Sequence, residues 1–168
     1  MTGAFVLLAY VTLGRLAELM LARRNTAGLI ARGAIEVSPG HYPAIVVMHT
    51  AWLAALWIYG TGQAVHLGWL AAFAVLQVLR VWVLATLGSR WTTRVIVVPG
   101  ETLVSRGPYR FVSHPNYLVV IGEIAVLPLC LGLPWIALVF SLLNACILWV
   151  RIRAENRGLR ATRHEAAT

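Results

Sequence analysis

The sequence predicts an all-α integral membrane protein with about five transmembrane helices. Three observations carry this reading. Hydrophobic residues fill 60% of the 168 positions, and the mean hydropathy is +0.77, above what soluble domains show. The apolar residues fall in runs long enough to cross a bilayer, which takes roughly 17–25 residues. All the lysine-plus-arginine charge is arginine, and almost all of it gathers between those runs or in the C-terminal tail. The length suits one domain, residues 1–168.

The first span covers residues 2–22. No basic region precedes its apolar run and no small-residue cleavage site follows, so it reads as a retained helix and not a signal peptide. A loop, residues 23–42, carries Arg23, Arg24, Arg32 and Glu36. The second span starts at Pro43, since proline suits the first helical turn, where its missing N–H would have no partner, and runs to Tyr59. An uncharged turn at 60–65 leads to the third span, 66–87. Residues 88–114 form a long polar loop. Within it, Arg94 to Val98, then Pro99-Gly100, then Thr102 to Val104 reads as a short hairpin or turn against the bilayer surface. The fourth span covers 115–131, again with proline first. Gly132-Leu133-Pro134 is a tight turn, and the fifth span covers 134–150. The fourth and fifth spans are short enough to pair as a helical hairpin. The tail from Arg151 to Leu159 continues the fifth helix into water.

Charge sorts the connections. The turns at 60–65 and 131–134 carry none, whereas the loops at 23–42 and 88–114 and the tail are rich in arginine. The positive-inside rule makes those three segments cytoplasmic, with the N-terminus outside and the C-terminus inside, as expected of a bacterial inner-membrane protein. The net charge of +8 then serves topology and contact with anionic lipid, not nucleic acid. Cys130 and Cys146 both lie in apolar segments without metal-ligand spacing, so neither a disulfide framework nor a metal site is expected.

Seven polar residues sit inside the spans: Arg15, Glu18, His49, Gln77, Arg80, Glu123 and Asn144. Counting along each helix at 1.5 Å per residue puts all of them in the cytoplasmic half of the bilayer. Charged groups there are costly, face the protein interior, and mark function by default. Their convergence at one depth predicts a polar cavity open to the cytoplasm. The outer half holds little beyond Tyr10 and Thr12, which speaks against a transport path. Taken singly, Arg15–Glu18 reads equally well as a structural ion pair, and Arg80 as an arginine reaching for the headgroups.

The densest polar stretch is residues 105–117, Ser-Arg-Gly-Pro-Tyr-Arg-Phe-Val-Ser-His-Pro-Asn-Tyr. A helix starting at Pro115 presents free N–H groups and a partial positive charge at its mouth, a natural receiver of carboxylate or phosphate. Gly107-Pro108-Tyr109, His114-Pro115-Asn116-Tyr117 and the glutamate-bearing Arg151 to Leu159 segment together resemble the isoprenylcysteine carboxyl methyltransferase family of integral membrane enzymes. The similarity covers about residues 88–160. Ser113 stands where the family usually has a basic residue, and Glu155-Asn156 where it usually has two glutamates. The resemblance implies S-adenosylmethionine as cofactor, held between loop and tail by His114, Tyr117 and Glu155, with Tyr109 and Arg151 as further contacts. The first half, with Arg15, Glu18, Arg24-Asn25, Arg32-Gly33, Glu36, His41-Tyr42-Pro43 and His49, resembles a bacterial subgroup associated with type III polyketide synthases. That implies O-methylation of an alkylpyrone or alkylresorcinol.

Methyl transfer to a carboxylate needs no base, whereas a phenol or enol must lose its proton. His49 is the expected base, because imidazole titrates near neutrality. Glu18 is expected to orient it and Arg80 to stabilise an oxyanion. Two readings of other classes compete: a membrane reductase of sterol-reductase type, which would bind nicotinamide, and a small transporter or scaffold.

Overall fold

The computed structural model describes the backbone of residues 2–37, 40, 42–102 and 104–165, and side chains as far as residue 153. Within them are five α-helices: α1 (Thr2–Ile30), α2 (Tyr42–Gly60), α3 (Leu67–Leu87), α4 (Pro115–Cys130) and α5 (Pro134–Glu165). α1, α2, α3 and α5 are long and apolar enough to cross a membrane. α4, with 16 residues, rises only about 24 Å and packs between α3 and α5. Leu13, Leu16, Val47, Ile58, Val78 and Leu138 are each more than half exposed, a surface suited to lipid.

The uncharged end holds the apolar core. Leu8, Leu56, Trp52, Leu127, Leu131 and Ile136 are almost wholly buried there. α4 closes with the Leu133 N–H bonded to Pro128 O at 2.9 Å and Gly132 N–H to Leu129 O at 3.1 Å. Gly132 has φ +66°, the left-handed cap that this pair of bonds requires. Pro134 then starts α5. His66 N–H donates to Cys130 O at 2.8 Å, so the entry to α3 is tied to the end of α4.

The arginine-rich end departs from the sequence expectations in two places. The first helix does not stop at Ala22 but runs to Ile30. Asn25 explains the overrun, since its Nδ2 donates to Gly88 O at 3.0 Å and to Trp91 O at 2.8 Å. Ala22 packs with Val83 and Trp91 in the same clamp. The second correction concerns 94–104. Pro99-Gly100 does turn: Glu101 N–H bonds Val98 O at 3.2 Å, with Gly100 at φ +77°, as a type II turn with proline before glycine demands. Of the hairpin or turn expected there, the described residues form the turn. Ile96–Val97 pairs antiparallel with Ile35–Glu36 from the preceding arginine-rich loop. Arg94 secures that pairing, bonded to Glu36 at 2.8 Å and lying 4.7 Å over the Tyr42 ring. The bond to Glu36 holds the Arg94 guanidinium above its ordinary pKa. A charged pair and an aromatic face outcompete a local return strand.

α3 and α4 share the broadest contact of any two elements, and Gly122 makes their approach close. A Cβ at Gly122 would lie 2.7 Å from Leu76 Cδ2. Small residues let membrane helices pack at short range. Gly122→Val is therefore expected to destabilise the protein by about 1–3 kcal/mol, the usual cost of overpacking. Thermal unfolding in micelles measures this, with Gly68→Val, whose Cβ meets nothing within 4 Å, as the comparison.

Candidate functional site

The spans bring five of the seven intramembrane polar residues into one bonded network. Arg15, on α1, donates from Nη1 to Glu18 Oε2 at 2.9 Å and from Nη2 to Glu123 Oε2 at 2.7 Å. Arg80, on α3, donates from Nε to Glu18 Oε1 at 2.5 Å and from Nη2 to Glu18 Oε2 at 3.0 Å. Gln77, one turn earlier on α3, donates to Glu123 Oε1 at 2.7 Å. Arg80 Nη1 lies 3.2 Å from Glu123 Oε2, yet it is out of line for a hydrogen bond and has no aligned acceptor among the described residues. The result is a neutral ring of two guanidiniums and two carboxylates joining α1, α3 and α4. Glu123 is 1% exposed and Arg80 7%.

Charge balance dictates this arrangement. Two arginines inside hydrocarbon require two carboxylates, and Glu18 and Glu123 are the glutamates available within the spans. The spacing Arg15–Glu18 and Gln77–Arg80 puts each pair on one helix face. Glu123 was legible as an intramembrane carboxylate, but its place at the centre of the ring was not. That place depends on partners 46 and 108 residues away.

His49 stands apart from the ring's hydrogen bonds. Its Nδ1 bonds Ile45 O, one turn back on α2, at 2.9 Å. Since a carbonyl only accepts, Nδ1 carries the hydrogen, and in the neutral ring Nε2 keeps its lone pair. His49 lies within the electrostatic reach of Arg15, Glu123 and Arg151. The expectation that Glu18 orients His49 is not met. Both Glu18 oxygens accept from guanidiniums, and the backbone of α2 orients the imidazole instead. Asn144 is buried on α5, 2% exposed.

A second cluster forms where α4 begins. Gly107–Arg110 makes a single 3-10 turn with Gly107 at φ +58°. His114 then caps α4, and Pro115 occupies its first turn as its chemistry favours. The His114 and Tyr117 rings stack with centroids 5.1 Å apart. Arg151, on α5, donates from Nε to the Tyr117 hydroxyl at 2.9 Å and covers that ring at 5.4 Å. Three of the five residues expected to hold a cofactor thus come together from loop and tail. Tyr109 packs against Ala22, Val83 and Trp91. Glu155 lies outside the residues whose side chains are described. Asn116 adds a feature the sequence did not single out: its Oδ1 is buried without a hydrogen-bond partner among the described residues.

Breaking a buried ion network leaves an uncompensated charge, at a cost of about 3–5 kcal/mol. Glu123→Gln is expected to lose that much stability. Glu36→Gln, at the exposed Arg94 pair, should lose no more than about 1 kcal/mol. Unfolding of both variants in the same detergent compares them directly.

Comparison with known proteins places the chain in a family. A model of the isoprenylcysteine carboxyl methyltransferase family matches residues 69–161, a stretch holding Arg80, Glu123, His114, Tyr117 and Arg151. The uncharacterized protein YpbQ of Bacillus subtilis is 39% identical over 160 residues, which cover 92% of this chain and 95% of that one. An uncharacterized protein of Haemophilus influenzae is 26% identical over 151 residues, 86% of this chain and 88% of its own. No solved structure matches. With more than half its length inside the family match and the motif residues meeting where loop and tail converge, this integral membrane chain belongs to the isoprenylcysteine carboxyl methyltransferase family, a family of methyltransferases.

Proposed function

We propose that the protein is an S-adenosylmethionine-dependent O-methyltransferase acting on a lipophilic substrate. The single observation that carries this is the meeting of His114, Tyr117 and Arg151 inside the family match. The residues fit the cofactor's chemistry. The Arg151 guanidinium suits a carboxylate, the first N–H groups of α4 suit an anion, and the orphaned Asn116 Oδ1 suits a hydroxyl or ammonium donor. His114, Tyr117 and Arg151 would hold the cofactor, with Tyr109 and Glu155 as further contacts. When bound, the cofactor supplies an electrophilic methyl group on a sulfonium.

The chain's own residues then have separate tasks. His49 Nε2, with Nδ1 anchored on Ile45 O, takes the proton of a phenol or enol. Arg80 Nη1, which lacks an aligned acceptor, supports the oxyanion that results. Glu18 holds Arg15 and Arg80 in place. Its part in catalysis is therefore positional. The apolar core at the uncharged end keeps water from that side, so reactants enter from the arginine-rich end or laterally from the bilayer. The preferred acceptor is a phenolic lipid such as an alkylresorcinol or alkylpyrone, which would imply a functional link to a type III polyketide synthase. An isoprenylcysteine-type carboxylate is the other acceptor. The arginine distribution orients the chain in a bacterial inner membrane with its N-terminus outside and its C-terminus in the cytoplasm, where the cofactor is.

Calorimetry on the folded protein tests the cofactor assignment. Adenosylmethionine is expected to bind and nicotinamide dinucleotides are not; the reverse result rejects the methyltransferase reading in favour of a reductase. Arg151→Ala and Tyr117→Ala should each weaken that binding. A reporter fused after Thr168 should be active on the cytoplasmic side. With a phenolic acceptor, His49→Ala should lower turnover by roughly 10²–10⁴-fold while cofactor binding is kept. That loss should shrink at high pH, where the phenol ionises unaided. With a carboxylate acceptor His49→Ala should leave the rate unchanged, so the variant also sorts the two substrate classes.

A further inference from the structure

A cleft of about 380 Å³ lies between the end of α3 and the polar loop, lined by Thr86, Ser89, Arg90, Thr102, Ser105 and Arg106 among others. The methyltransferase reading uses none of these residues. The volume falls in the roughly 300–1,000 Å³ range of small-molecule sites. Its lining is unusual for a largely hydrocarbon protein: four hydroxyl side chains and two guanidiniums.

The guanidiniums differ in how they are held. Arg90 is fixed, with Nη1 donating to Thr102 O at 2.8 Å and Nη2 paired with Glu101 at 2.8 Å. Glu101 also faces Arg32 at 3.6 Å, so its one carboxylate is shared between two guanidiniums at this rim. Arg106 has no ion pair or hydrogen bond among the described residues. Thr86 spends its hydroxyl hydrogen on Trp82 O at 2.8 Å, whereas among the described residues no such bond engages the hydroxyls of Ser89 and Ser105.

Depth identifies the source of the ligand. α3 has 21 residues and rises about 31 Å, close to the ~30 Å hydrocarbon thickness. If its uncharged end sits at one interface, residues 86–90 sit at the other, at the level of lipid phosphates. We infer that this cleft is a binding site for the phosphate headgroup of an anionic phospholipid, with Arg106, unpaired among the described residues, as the cation and Ser89 and Ser105 as hydroxyl donors. The site is separate from the His114–Tyr117–Arg151 cluster and does not depend on what that cluster binds.

The test uses the full chain in zwitterionic detergent and native mass spectrometry with short-chain phosphatidylglycerol, phosphatidylcholine or inorganic phosphate. Phosphatidylglycerol should be retained in preference to the other two. Arg106→Gln should weaken it about tenfold or more, as losing a charge-assisted hydrogen bond does. Arg24→Gln, removing an exposed arginine from α1, should change it little. Equal loss in the two variants would reduce the effect to general charge attraction and overturn the site. Equal retention of phosphatidylcholine would also overturn it, and inorganic phosphate binding as tightly as the lipid would overturn the lipid assignment. Displacement by adenosylhomocysteine would give the cleft to the cofactor instead. Arg106→Gln should leave adenosylhomocysteine affinity unchanged, which checks that the variant is folded.

Discussion

The ring formed by Arg15, Glu18, Arg80 and Glu123 is the constraint on which the rest depends. A guanidinium in hydrocarbon is tolerated only when its charge is met, and here each one reaches carboxylates on another helix. Four charged groups from three helices then leave little choice of register. Sliding α4 by one turn against α3 would carry Glu123 away from Arg80 and Gln77 and strand charge in the membrane. Apolar packing alone is a weak guide between lipid-facing helices, because lipid tails are as apolar as the residues they touch. The ring supplies the specificity that packing lacks.

The ring also shapes what the neighbouring cluster can do. Arg15 and Glu18 are part-exposed, with side chains 23% and 18% accessible, while Glu123 and Arg80 are sealed. The accessible half therefore presents a net-neutral pair and not a bare charge. His49, oriented by its own helix and free of the ring's hydrogen bonds, keeps a lone pair on Nε2 in its neutral form. The cluster at the start of α4 has a different logic. Stacked rings and a guanidinium over an aromatic face make a flat, donor-rich wall.

Much of this was legible because it is local. Hydropathy set the spans, Pro115 and Pro134 began helices where missing N–H groups cost nothing, and Gly132 ended one. Counting residues gave the shared depth of the polar groups. What escaped the sequence depends on partners far along the chain. Nothing near Ala22 says that α1 continues, because Asn25 finds Gly88 and Trp91 more than sixty residues on. Nothing in 94–98 says that its partner strand is 35–36 and not 102–104. Glu18 looked like a companion for His49 because residue counting puts both at one depth, and only the positions of Arg15 and Arg80 show that its oxygens accept from guanidiniums. Nothing local to the 3-10 turn says that Tyr109 packs against the α1–α3 clamp.

The distance in sequence between Arg15 and Glu123, 108 residues, bears on how the protein is made. Chains enter the bilayer from the N-terminus onward, so α1 and α3 arrive carrying two guanidiniums and only Glu18 between them. Until α4 is delivered, one positive charge has no counter-ion, and α3 is held near the arginine-rich surface, where water and phosphates can stand in. The glycine-capped turn at 130–134 joins α4 to α5 tightly enough for the two to enter as one unit. Their arrival at once neutralises the last arginine and sets the His66–Cys130 clasp. A chain stopped short of residue 123 therefore holds two intramembrane arginines and only Glu18 to meet them.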